Sequence, residues 1–195
     1  RSTFASTVYT NTGTAISGAG TGTYGFTLTI NGTAYTASVT VSAGDTDQTV
    51  LNNVQTAITG VVSGKATAVV VATETGKSRL SLASTETGTA NNIAFTDTGG
   101  LLARIGLTNG TAATDTVGGY VYKDLGNNEL NSKVTLNGLN YIRESNTISD
   151  LITGLTFTLK AADATKTVTV NVDPDADGIL AKIKDFIAKH NEALD

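Results

Sequence analysis

A chain of 195 residues can hold one large cored domain or two small ones, and with 39% hydrophobic and only 15% charged residues its surface must be covered largely by Thr, Ser, Asn and Gly. A net charge of −4 without a basic cluster excludes the electrostatic footprint of a nucleic-acid binder, and no run approaches the ~18 apolar residues of a membrane span. The absence of cysteine excludes disulfides, while one Pro, 21 Gly and abundant Thr, with Val, Ile and Leu recurring throughout, predict a mainly β protein rich in turns.

Residues 1–22 read as a short strand followed by a glycine-rich loop. Two alternating runs, YGFTLTI and TAYTASVTV, then flank Asn31-Gly32. This pattern predicts a hairpin, because both central residues of a type I′ turn need positive φ and Asn-Gly tolerates it. Asp45 or Thr46 can cap a helix whose apolar residues Val50, Leu51, Val54, Ala57 and Ile58 form one stripe, with Gly60 as the stop. KATAVVVAT and SRLSLAS follow as a strand pair around Glu74-Thr75-Gly76-Lys77, completing a ββαββ unit over 24–84 in which the helix covers one face of a sheet. A short helical stretch at Leu101, Leu102 and Ile105 leads into the linker-like NGTAATDTVGG.

From Tyr120 the pattern starts again. SKVTL and LNYIRE flank Asn137-Gly138 as a second hairpin, followed by a short apolar turn at Ile148, Leu151 and Ile152. LTFTLKA and KTVTVNV are expected to pair as two further strands. After Pro174, the residues Ile179, Ile183, Phe186, Ile187, His190 and Leu194 share one face of an amphipathic helix of about five turns. Arg1 at the start and a helix running to Asp195 read as cut ends, so a heptad-patterned continuation is expected beyond Asp195.

Motifs for chemistry are weak. A formal GxGxxG at Gly20, Gly22 and Gly25 leads into a strand, whereas dinucleotide binding needs it at a helix N-terminus. Asp173, Asp175, Asp177 and Gly178 match the first half of a calcium loop. The twelfth position, which should supply a bidentate Glu, is Lys184; the competing reading is that Asp175 or Asp177 caps the helix. His190 is the only histidine and has no nucleophile or ligand motif beside it. Glu74, Glu86, Glu129 and Glu144 are scattered, giving no paired-acid glycosidase motif. Asn31-Gly32-Thr33 and Asn109-Gly110-Thr111 are formal glycosylation sequons, the first explained by its hairpin turn. No enzyme activity and no cofactor are expected.

Three stretches carry a family resemblance. RLSLASTETGTANNI at 79–93, VTLNGLNYIRESNTISDLITGLTFTLK at 134–160 and TVTVNVDPDADGILAKIKDFIAKHNEAL at 167–194 resemble, in order and spacing, segments of bacterial flagellar filament cap proteins (hook-associated protein 2). Ser145-Asn146-Thr147 and Gly154 are the most specific matches, and 24–84 is similar to an insertion unit, called IN-type, shared by caps and flagellins. The resemblance implies an α+β, mainly β head: a discontinuous first head domain of 1–22 and 115–174, an inserted IN-type domain at 23–114, and the start of a leg or coiled-coil helix at 175–195. It further implies an extracellular, homo-oligomeric cap at the filament tip that assists flagellin polymerisation. Its partners would be itself and flagellin, with host-surface glycans or mucin as a further candidate and neither nucleic acid nor membrane insertion. Two rival readings are a cell-surface adhesin or stalk module, which does not account for the terminal helix, and the outer variable region of a flagellin, which matches 134–160 less well.

Overall fold

The computed structural model describes residues 1–163, 165–171 and 173–193. The chain divides into two compact units, 1–160 and 161–195.

In the first unit, β3 (Gly22–Ile30) and β4 (Thr33–Val41) form the Asn31-Gly32 hairpin, paired from Ile30–Thr33 at the turn to Gly22–Val41 at the far end. Both turn residues have positive φ, 49° and 72°, as an Asn-Gly turn requires. Alternation then sorts the side chains. Phe26, Leu28, Ile30, Val39 and Val41 are buried, while Thr23–Thr40 and Thr27–Thr36 pair hydroxyl to hydroxyl at 3.0 and 2.9 Å on the exposed face. The short strand β7 (Ala94–Thr96) adds to the other edge of β3.

Helix α2 (Asp47–Val61) begins at Thr46, whose Oγ1 accepts the Thr49 amide at 3.2 Å. Its stripe of Val50, Leu51, Val54 and Ile58 is fully buried, contributing about 1.5–3 kcal/mol per side chain on transfer grounds. Ser63 and Gly64, both at positive φ, turn the chain after the helix.

The next hairpin, β5 (Ala66–Glu74) and β6 (Lys77–Ser84), belongs to a different sheet from the first. The expectation of one sheet covered by one helix is therefore corrected: α2 packs against β4 of one sheet and β5 and β6 of the other. In this second sheet β6 lies between β5 on one side and, on the other, β1 (Thr3–Ala5) followed by β2 (Tyr9–Thr10); β8 (Gly119–Tyr122) pairs the far edge of β1. One core spans the two sheets, α2, the one-turn helix α1 (Ala15–Gly18) and the one-turn helix α3 (Leu101–Arg104). Phe4 of β1 meets Phe95 of β7 edge to face, centroids 4.8 Å apart, so the first residues of the chain are part of the same core as 26–107.

Three polar fastenings hold connections onto this core. Asp47, buried at the first turn of α2, accepts the Ile16 amide at 2.8 Å. Arg104 donates to the carbonyls of Ile16 and Gly20 and to the Tyr24 hydroxyl while stacking over the Tyr24 ring. Arg79, projecting from β6, donates to the carbonyls of Ser6, Thr114, Asp115 and Val117 and so clamps the 114–117 loop.

Beyond β8 the packing thins. The Asn137-Gly138 hairpin forms as β9 (Ser132–Leu136) and β10 (Leu139–Arg143), and β11 (Thr147–Ile148) pairs β12 (Phe157–Thr158). The expected pairing of LTFTLKA with KTVTVNV is not formed: Phe157 pairs Ile148 instead, and 166–171 carry no strand, with Val168 82% exposed. The last residue of that run, Val172, lies outside the described residues. Alternating Thr and Val make a strand only when an edge offers a ladder, and the described residues of 166–171 take part in none.

The second unit contains α4 (Ala176–Glu192), matching the expected terminal helix; Leu194 lies outside the described residues. Among the described residues no helix is long and apolar enough to cross a membrane.

Candidate functional site

Residues 87–91, within the stretch 79–93, meet 130–146, which runs from just before the stretch 134–160 into it. Gly88, at φ 99°, donates its amide to the Leu130 carbonyl at 2.8 Å. A Cβ there would lie 2.7 Å from the Glu144 carbonyl oxygen, so the approach is open only to glycine. Thr87 Oγ1 donates to the same Glu144 carbonyl at 2.9 Å, and Asn131 Oδ1 accepts the Thr89 amide at 2.8 Å.

The Ser145-Asn146-Thr147 segment is explained by the same joint. Ser132, buried at the start of β9, donates to the Ser145 carbonyl and to Asn146 Oδ1, at 2.9 and 2.6 Å. The Asn146 carbonyl accepts the Leu159 amide, and Ser145 Oγ accepts the Thr147 amide. A side-chain amide acceptor flanked by two hydroxyls thus ties β9, β11 and β12 together where few apolar side chains are available; Leu130 and Ile148 are the buried ones. Arg143 and Asp150 add a two-pronged ion pair with contacts of 2.8–3.1 Å. The hydrogen bond from Arg143 holds the Asp150 carboxyl below its ordinary value.

Near the chain end, Asp175 Oδ1 accepts the Gly178 amide at 2.8 Å and caps α4, and Asp177 lies in its first turn. No group of three or more His, Asp or Glu side chains is placed to hold a metal among the described residues, so Asp173, Asp175 and Asp177 are not drawn into a ligand set there. On the helix surface Ile179, Leu180, Ile183, Phe186 and Ile187 are all exposed, and the His190 ring lies 6.3 Å from that of Phe186. The glycines of the formal GxGxxG sit in or before β3, with no helix N-terminus following. What sequence reading missed was the clamp role of Arg79 and Arg104, since a lone arginine in a strand or helix carries no local signal of the carbonyls it will gather.

Two sheets share one core, and a hairpin-rich extension follows it. The family model of the flagellar hook-associated protein 2 C-terminus matches residues 130–195. The chain is 31% identical over 131 residues to the B-type flagellar hook-associated protein 2 of Pseudomonas aeruginosa PAO1, covering 62% of this chain and 27% of that protein. It is 36% identical over 64 residues to the flagellar hook-associated protein 2 of Borreliella burgdorferi, covering 33% of this chain and 10% of that one. Its fold is similar to crystal structures of FliD from P. aeruginosa (TM-score 0.67, 24% identity, 98% of this chain and 82% of that one) and of the Escherichia coli cap protein FliD D1-D2-D3 domains (0.63, 21%, 98% and 53%). Over residues 130–195 the chain is thus similar to the C-terminal part of flagellar hook-associated protein 2, and it spans well under half the length of the curated relatives it matches.

Proposed function

We propose that this chain is the head region of an extracellular cap at the tip of a flagellar filament, where it self-associates and assists flagellin subunits into the lattice. The observation that carries the reading is the joint described above: Thr87 and Gly88, in the cap-like stretch 79–93, meet Glu144 in the cap-like stretch 134–160, and Gly88 and Thr89 bind Leu130 and Asn131 just before it. The role is structural, not enzymatic. Rigid sheets fastened by buried side chains would hold loops in fixed positions, which is what a template for incoming subunits requires.

The division into head domains, 1–22 with 115–174 and an inserted 23–114, belongs to the same proposal, with β1 and β2 lying on the sheet of the inserted unit. The exposed apolar stripe of α4 supports a role as the first turns of a leg that packs on another helix.

Deletion of the gene, scored by electron microscopy of filaments and by free flagellin in the medium, tests the reading. Hooks without filaments and monomeric flagellin in the medium are expected. Normal filaments would overturn it, and reduced surface attachment in that strain would favour an adhesin.

A further inference from the structure

The chain holds three Asn-Gly pairs, at 31–32, 109–110 and 137–138, and the structure places them in unequal settings. Asparagine before glycine is the most labile amide arrangement in a polypeptide. The glycine nitrogen, unshielded by a side chain, can attack the asparagine side-chain carbonyl and expel ammonia. We infer that Asn137 is this chain's self-modifying site, converting to aspartyl and isoaspartyl ahead of Asn31 and Asn109.

The step balances within the chain and water. The Gly138 nitrogen gives its proton to solvent and forms a bond to Cγ of Asn137; the Cγ–Nδ2 bond breaks and nitrogen leaves as ammonia. Water then opens the five-membered imide at either carbonyl, leaving a carboxylate. No oxidant or enzyme is required.

What differs is how readily each site reaches the reactive geometry. Asn109 is half-buried and donates through Nδ2 to the Gly118 carbonyl at 3.1 Å, which holds its carboxamide. Asn31 is exposed, but its amide donates to the Ala90 carbonyl and its turn is clamped between nine-residue strands whose inner face is core. Asn137 and Gly138 are both exposed, like Asn31 and Gly32, and among the described residues no hydrogen bond holds either carboxamide, so Asn31 and Asn137 differ in the hairpin that carries them. Asn137 and Gly138 sit at positive φ, 51° and 82°, in a turn closed by the Leu136–Leu139 pair, and closing the imide ring rotates the Asn137–Gly138 peptide out of that turn, so reaction requires the hairpin to open. β9 and β10 pair only with each other and bury Ser132 alone of their ten residues. A two-stranded ladder of this kind opens far more often than one built into a core.

The consequence is structural. The isoaspartyl product routes the main chain through Cβ, adding a backbone atom to a two-residue turn that pairs Leu136 with Leu139. The added charge then stands at the tip of a hairpin that can no longer close in register.

The test is incubation of the intact chain in mildly alkaline oxygen-18 water, with peptide mapping by mass spectrometry. A parallel sample in denaturant is run until all three sites are labelled. In the folded chain, label at Asn137 is expected roughly tenfold faster than at Asn31, with Asn109 slowest, while the denatured sample shows comparable rates at all three. Asn137→Ser should remove the leading signal without changing the other two. Equal or faster labelling at Asn31 or Asn109 in the folded chain, or none at Asn137 once the denatured sample is labelled, would overturn the inference.

Discussion

Helices α2 and α4 are both amphipathic, of similar length and N-capped by an oxygen side chain, yet they end in opposite environments. In α2 the stripe of Val50, Leu51, Val54 and Ile58 is buried completely under two sheets; in α4 Ile179, Leu180, Ile183, Phe186 and Ile187 are each at least 48% exposed. The periodicity of a sequence states which face wants burial. It does not supply the surface that buries it. For α2 that surface is made by strands on either side of it in the chain, whereas among the described residues of the second unit α4 has no strand beside it. An isolated helix of 17 residues is marginal in water, so the apolar face of α4 calls for burial that its own unit's described residues do not supply.

The comparison is broken most severely by truncating one stripe at a time. Leu51→Ala or Ile58→Ala should lower unfolding free energy by about 2–5 kcal/mol in urea titrations, because the cavity lies in a core with no slack. Ile183→Ala in α4 should change it by less than about 0.5 kcal/mol in the same chain. Equal losses at the two sites would show that α4 is packed in solution.

Gly88→Ala sharpens the contrast between the cored part of the first unit and its thinner extension. The added methyl meets backbone rather than a flexible side chain, at a positive φ, and should cost about 1–3 kcal/mol. Hydrogen exchange should then speed up over 130–147 while α2 stays protected; uniform loss would mean the two regions unfold as one.

Removing a cap has a smaller effect. Thr46→Ala should cost about 1 kcal/mol of global stability, since α2 unfolds with the core. The corresponding Asp175→Ala should leave the urea midpoint unchanged and appear only as lost helical circular dichroism.

The exposed Arg143–Asp150 pair should have the least effect. Asp150 is depressed in the folded state, so its contribution is present above the ordinary aspartate value of about 3.9 and fades as pH falls through the lowered one. Carbon-13 titration of its carboxyl should show the depressed midpoint, and Arg143→Gln should return it to the ordinary range. A midpoint unmoved by that change would remove the ion pair from the account.

Much of this was legible locally. Asn31-Gly32 and Asn137-Gly138 named both hairpins and their registers, because few residue pairs accept two consecutive positive φ angles, and Thr46 named the start of α2. The Ser145-Asn146-Thr147 segment was legible as a family match but not as a mechanism; its role rests on Ser132, which is distant in sequence and carries no signal of its own. The KTVTVNV run shows the converse error, a pattern read as a strand whose described residues, 166–171, join no ladder.

Turns, caps and the apolar face of each helix were determined by the sequence itself, since they depend on φ preferences and side-chain reach within a few residues. Which strands share a sheet, why β1 lies between β6 and β8, and why one amphipathic helix is buried and the other exposed were decided only in the tertiary structure. Those outcomes depend on contacts between residues far apart in sequence, such as Phe4 against Phe95 and Thr3 beside Tyr122, and on the free energy of closing one core around them all.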